Sequence, residues 1–444
     1  MSATQAVNEQ MIYNVKPPAI RARRMRYVGV PQSGTDFVPG ATTRFEIPTQ
    51  PATYLQAQNT VLKFKVTTAG GACNLDGSAG AACFIQSIRV MHGSNLLEEI
   101  DQYNRLASIL NDFQRSPAES QTIGNLTAGL PGGNTVAAGD AYNKANANQA
   151  RNEGQLIPAV RASTMAAGTY TYTLPLISGV IGSLCSKFTP LTAMSAAPIR
   201  LEVQWASLEN GVQTADAGFT GWTVQDCQII GDIIQVDPEG EALIVNSVGG
   251  NFEVNTTMYR QASGIVTTGS GTSSVLLPFR FSSLKSVLVA HCEQINSSLL
   301  TNLYTARSRA NMASFQLRIG SSLYPQNAVQ AGAVAQLPAE VLMETLKCFH
   351  HQLSSIQVGI GCNSSNFNTE RGRTSHGTYL AAMELESGGG GDSSKVEAGI
   401  NTLTTGIWFQ GQYAPVTAAG YELCSYAFYD CRLSCQSGTC RALF

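Results

Sequence analysis

Four cysteines near the C-terminus, Cys424, Cys431, Cys435 and Cys440, form the densest cluster of groups able to bind a metal or to react. Structural zinc sites use paired short spacings such as C-x2-C, whereas the gaps here are six, three and four residues. Three fates stay open for them: packed thiols, one disulfide, or a metal. In an extended strand Cys431 and Cys435 share a face and Cys424 points the other way. Cys73, Cys83, Cys185, Cys227, Cys292, Cys348 and Cys362 stand singly and read as small apolar core residues.

The five histidines, His92, His291, His350, His351 and His376, have no His, Cys or carboxylate partner at metal spacing, and no Gly-x-Ser-x-Gly elbow is present. Each reads as structural. Gly388 to Gly391 lacks the Lys-Ser/Thr that follows a phosphate loop and reads as a flexible surface loop. Sequons at Asn125, Asn255, Asn296 and Asn363 are chance matches in a Ser/Thr-rich chain. One charged segment remains. Lys16, Arg21, Arg23, Arg24 and Arg26 place five positive charges within eleven residues. Against duplex DNA they would give log affinity a salt slope of about −4 to −5. The alternative is an arm whose arginines meet acids and carbonyls of a neighbouring chain, and no interleaved aromatics favour stacking on bases.

A chain of 444 residues exceeds what one hydrophobic core supports and suits two bodies of about 200 residues each. Charged residues are only 13 %, about half the usual share, and small polar residues abound. That composition fits extensive protein contact better than a solvated monomeric enzyme. A net charge of −2 excludes a general nucleic-acid binder. No apolar run reaches the roughly 18 residues that span a membrane, and the polar N-terminus is unlike a signal peptide. Synthesis in the cytoplasm or nucleus, without secretion, is expected.

The elements that must carry these groups are mostly strands. Leu62 to Val66, Tyr170 to Leu176, Ile199 to Trp205 and Trp222 to Val236 alternate or run apolar in the first half. Asn251 to Val254, Val275 to Phe279, Leu284 to Ala290, Phe315 to Ile319, Thr378 to Leu385, Gly406 to Phe409 and Ser425 to Leu433 do so in the second. Two short amphipathic helices are predicted, over 104–113 and 338–349. Residues 116–168 show little periodicity. A correspondence links the halves: Gly93, Ser94, Asn95 and Leu96 lie 227 positions before Gly320, Ser321, Ser322 and Leu323, each set after an alternating strand and before a helix. Extended to the ends, the same shift sets Ile199, Leu201 and Val203 on Tyr426, Phe428 and Asp430, the last a mismatch that a one-residue slip would explain. The expected division is an extended arm over 1–42, a first body over 43–237, a linker over 238–250 and a second body over 251–444.

Two successive strand-rich bodies, each with a helix after a mid-domain strand, resemble the double jelly-roll major capsid proteins of icosahedral DNA viruses and phages. Thr173 to Gly179 leading to Pro198 to Val203, and Phe315 to Pro325 followed by the helix over 339–349, carry the likeness. The resemblance implies an all-β fold of two consecutive eight-stranded jelly-roll β-sandwiches with short helices in the loops. It also implies a non-enzymatic structural subunit that trimerises into pseudo-hexagonal capsomers and tiles a virion shell, with no cofactor, metal or small-molecule substrate. Its partners would be copies of itself, neighbouring capsomers, and minor capsid or vertex proteins, with the basic arm facing genome, internal membrane or neighbour. A single-jelly-roll capsid protein with a projecting domain, or a carbohydrate-binding β-sandwich protein, are the alternatives.

Overall fold

In a computed structural model of the protein, the described residues are 20–76, 78–116, 119–129, 163–214, 216–266, 271–293, 303–332, 337–349, 362, 367–368, 377–386, 399–414 and 420–444. Within them the first half supplies eight principal strands: β1 (Ala22–Gly29), β2 (Thr42–Ile47), β3 (Thr53–Ala69), β4 (Ile85–His92), β5 (Asn95–Asp101), β6 (Gly168–Pro175), β7 (Ile199–Trp205) and β8 (Gly221–Val236). They form two antiparallel sheets, ordered β1-β8-β3-β6 and β2-β7-β4-β5.

The second half repeats the pattern with β9 (Phe252–Val266), β10 (Gly271–Leu277), β11 (Leu284–Glu293), β12 (Met312–Ile319), β13 (Ser322–Gln330), β14 (Ala381–Glu384), β15 (Ile407–Tyr413) and β16 (Tyr421–Gln436). Its sheets are ordered β9-β16-β11-β14 and β10-β15-β12-β13. Adding eight to every strand number of the first half gives the second. Two consecutive strands rarely neighbour one another, so each half is a jelly roll, with chain crossing from one sheet to the other. The protein is therefore all-β, two jelly-roll sandwiches in tandem.

Alternation fills each core. In β7 the residues Ile199, Leu201, Val203 and Trp205 are buried while Arg200, Glu202 and Gln204 turn outward. Trp205 meets Phe64 of the facing sheet at 5.2 Å between rings, and Phe315 meets Phe409 at 5.9 Å in the second sandwich. Among the described residues three helices of nine or more residues decorate the loops: α1 (Tyr103–Gln114), α2 (Pro238–Val248) and α3 (Ala339–Lys347).

Three expectations are corrected. Within the arm expected over 1–42, the described part from Ala22 to Gly29 is a strand paired with β8 along its whole length, so the first sandwich begins well before residue 43. Its alternation was masked because arginines occupy the outward slots while only Met25 and Tyr27 turn inward. The linker over 238–250 is α2, started by the Asp237 carboxylate accepting from the Gly240 amide at 2.9 Å and closed by Gly249 at φ 63°. The counterpart of β7 is β15 and not the stretch from Tyr426. The shift of 227 holds for β4 and β12 (85 to 312), but falls to 208 for β7 and β15 (199 to 407) and to 200 for β8 and β16 (221 to 421). Asp430 was a mismatch because it was aligned with the wrong strand.

The β4–β5 and β12–β13 hairpins turn at Gly93 (φ 59°) and Gly320 (φ 62°), and a Cβ at either would find its nearest neighbour no closer than 3.6 Å. Only backbone strain opposes a side chain there. Gly93→Ala and Gly320→Ala should each lower stability by about 1 kcal/mol, read as a matching fall in the urea midpoint. A variant with no fall would break the equivalence of the two turns.

Candidate assembly surfaces and the seam between the sandwiches

The polar groups with the most restricted surroundings lie where the two sandwiches meet. The Arg307 guanidinium, fully buried, forms an ion pair with Asp112 of α1 and donates to the Ser108 hydroxyl at 3.0 Å; Asp112 also accepts from Ser78 at 2.7 Å. Beside it the Thr305 hydroxyl donates to Asp76. Arg105, 1 % exposed, donates to Glu422 at 2.9 Å, to Gln102 at 2.8 Å and to the Tyr304 carbonyl at 3.1 Å, with its guanidinium 3.9 Å from the centre of the Tyr304 ring. Phe113 stacks on Phe349 at 5.2 Å and 3°. Apart from the Asp112–Ser78 and Arg105–Gln102 bonds, which lie within the first sandwich, each contact joins residues of the first sandwich to residues of the second.

A second part of the seam runs along β5. Glu99 pairs with Arg260 of β9 at 2.7 Å, while Glu98 is buried and accepts from the Ser178 hydroxyl and from the Gly179 amide at 2.9 Å. The Gly179 carbonyl in turn accepts from Thr256 of β9 at 2.8 Å. A Cβ at Gly179 would lie 2.5 Å from the Thr257 carbonyl, so only glycine lets the second sandwich approach. Burial pushes the Glu98 carboxyl up to about 7, against the three donors that favour its charged form.

The cysteine question resolves into one disulfide and packed thiols. Cys435 is bonded to Cys440, its cross-strand partner in the hairpin from β16 to β17 (Thr439–Leu443). Cys424 and Cys431 are buried thiols, both pushed up to about 12, chiefly by burial, so neither is a nucleophile at neutral pH. Cys424 donates to the Gln102 side chain at 2.7 Å, placing it in the seam. Among the described residues no group of three or more His, Cys, Asp or Glu is arranged to hold a metal.

The histidines divide the same way. His92 Nε2 donates to the Met194 carbonyl at 3.1 Å and Nδ1 accepts from the Cys440 amide at 3.3 Å, so this ring pins the C-terminal hairpin to the first sandwich. His291 lies in the second core, Nε2 2.8 Å from the Tyr413 hydroxyl, and burial drives it down to about 3, keeping it neutral. His350, His351 and His376 lie outside the described residues, as do Gly388 to Gly391 and Lys16.

Arg21, Arg23, Arg24 and Arg26 are all exposed. Arg24 pairs with Asp232 of β8, and Arg26 lies across the ladder from the same Asp232, so both belong to the outer face of the β1-β8-β3-β6 sheet. The Arg21 carbonyl accepts from the Asp237 amide at 3.2 Å. The structure thus sets three of the four on a strand and none on a free arm. The seam residues were not found from sequence. Asp112 and Arg307 stand far apart in the chain, without periodicity to link them.

This architecture defines a tandem jelly-roll chain with no assembled catalytic or metal centre among the described residues. Solved structures share it over nearly the whole length. The chain is similar to one described as "PBCV-1 virus capsid, quasi-atomic model", at 9 % identity and a TM-score of 0.61, covering 97 % of this chain and 98 % of that one. It is similar to the Faustovirus major capsid protein, at 8 % identity and a TM-score of 0.58, covering 97 % and 92 %. The mavirus major capsid protein gives 10 % identity and a TM-score of 0.52, covering 100 % and 96 %. No family model and no curated protein matches the sequence.

Removing one partner of the buried pair, by Asp112→Ala or Arg307→Ala, should cost about 3–5 kcal/mol, whereas Asp226→Ala, whose partner Lys65 is exposed, should cost under about 1 kcal/mol. Chemical denaturation distinguishes them, and equal losses would remove the seam's special role. Glu98 sets a pH dependence as well. Its folded pKa lies above the unfolded one, so its contribution is full below about 4.5 and declines as pH rises towards about 7. Subtracting the pH–stability curve of Glu98→Gln from that of the parent should give this slope. A flat difference between pH 4.5 and 7 would contradict it.

Proposed function

We propose that the chain is a major capsid protein, a structural subunit that trimerises into pseudo-hexagonal capsomers and tiles an icosahedral virion shell. The observation that carries this reading is the tandem of identical strand orders, locked by a buried polar seam and shared end to end with capsid chains. Two like lobes per chain and three chains per capsomer give six lobes, a shape that fills a plane. The duplicated order also sets aside a single jelly roll with an unrelated projecting domain. Function then lies in contact between copies and with minor capsid or vertex proteins. The virion is its place of action, after synthesis in the host cytoplasm.

A non-enzymatic role is supported by how the reactive groups are used. Buried acids, arginines and thiols are engaged in packing or in the seam, and among the described residues no nucleophile stands beside a base with an orienting third group. The wish to contact genome or membrane falls to Lys16 and the exposed arginines.

Electron microscopy of the concentrated, purified protein should show discrete trimers or closed shells, and a monodisperse monomer would overturn the reading. Replacing Arg21, Arg23, Arg24 and Arg26 together with Gln should lower particle yield if they bind neighbours, or genome content if they bind nucleic acid. Unchanged yield and content would exclude both roles.

A further inference from the structure

Beside α2 lies a groove of about 560 Å³, within the range of about 300–1,000 Å³ usual for binding sites. Tyr54, Phe188, Ile244, Val248, Phe252 and Val254 line it, so its wall is predominantly apolar. The helix itself is poorly covered. Of the eleven residues of α2 only Gly240 is buried, while Leu243 and Val248 are 65 % and 40 % exposed. Phe188 is 51 % exposed. An apolar helix and groove left open to water call for an occupant.

The described chain begins at this groove. Ile20 lines it at 44 % exposure, and a Cβ at Gly240 would collide with the Ile20 side chain, so the entering chain rests directly on α2. The Arg21 carbonyl accepts from the Asp237 amide at 3.2 Å, which fixes the entry beside the first turn of the helix. Residues 1–19 lie outside the described residues, and their sequence holds one apolar cluster: Met11, Ile12, Tyr13 and Val15. Val15 stands five residues and Met11 nine residues before Ile20, reaches of at most about 18 and 32 Å in an extended chain. The eleven residues of α2 span about 16 Å. The whole groove is therefore within reach of the cluster.

We infer that the segment Met11 to Val15 docks in this groove of its own chain, covering the exposed side of α2. The inference goes beyond the capsid role and does not rest on it. The occupant is the chain's own segment because the tether ends at the groove. A short linker gives an effective concentration on the order of millimolar, so a contact too weak to hold a separate molecule is still filled in cis. Charge agrees. Lys16 follows the cluster, and Glu239 in the first turn of α2 is exposed, whereas Glu241 is already engaged by the Ala52 amide and the Thr192 hydroxyl.

The double variant Ile12→Cys with Val248→Cys, treated with a short bis-maleimide in dilute solution, should give a monomer-sized product whose peptide map joins the two positions, while neither single variant gives one. The background is low, since all nine native free thiols are buried. A dimer-sized product in its place gives the groove to a second copy and overturns the inference. Ile12→Asp, with its fold checked by circular dichroism, should raise the binding of anilinonaphthalenesulfonate several-fold, whereas Gln5→Asp, which adds the same charge, should leave it unchanged. Deleting residues 2–15 should raise it likewise, and a synthetic peptide of residues 1–19 at millimolar concentration should reverse the rise. Equal dye binding by the parent, Ile12→Asp and truncated chains overturns the inference. So does equal binding of anionic phospholipid vesicles by the parent and truncated chains, which gives the groove to lipid. Electron microscopy keeps the two readings apart, because trimers or shells formed by a chain that fails these tests leave the capsid role standing.

Discussion

Everything in this molecule depends on burying charged side chains where two sandwiches meet. A guanidinium and a carboxylate taken out of water each cost several kcal/mol unless they are paired and hydrogen-bonded. Arg307 and Asp112 come from different halves, so neither half can satisfy its own member. Ser108 accepts a further bond from the guanidinium, and Ser78 donates one to the carboxylate. The same holds for Arg105, whose acceptors Glu422 and the Tyr304 carbonyl lie in the second sandwich. Two sandwiches that could have been independent beads are thereby fixed in one orientation.

The duplication was legible only where the connecting loops had not changed length. Between β4 and β5 and between β12 and β13 a two-residue turn leaves no room for insertion, so the shift of 227 persists through strand, glycine and strand. Beyond it, the two halves carry different loop lengths, and the shift has drifted to 208 at β7 and 200 at β8. Strand periodicity survives such drift because burial of one face enforces it locally. Residue-for-residue alignment does not. That is why Ile199 to Trp205 and Gly406 to Phe409 were both legible as strands while their equivalence was not.

The surfaces were less legible, for a physical reason. A basic stretch with proline before it has the composition of an arm, and β1 conceals its pairing because an edge strand exposes most of its side chains. Met25 and Tyr27 were the available signal, two apolar residues at period two. The seam offers no such signal. Its members are brought together by sandwich packing across more than a hundred residues of chain, and a lone buried Arg or Asp is indistinguishable in sequence from a solvated one.

The two outer sheet faces differ in chemistry, and that difference follows from what each faces among the described residues. The second sandwich's face meets α1 of the same chain during folding, so it can be lined by Leu288, Ala290, Cys424 and Tyr426 without ever facing water in the native state. Among the described residues the first sandwich's face stays half-buried or exposed. Were it equally apolar, the free subunit would carry a patch prone to non-specific association. Lysine and arginine stems cover apolar surface while their charges keep the face soluble, and their geometry suppresses wrong partners by like-charge repulsion. The duplicated fold thus carries one apolar and one charged copy of the same face, and the apolar copy is the one closed within the chain.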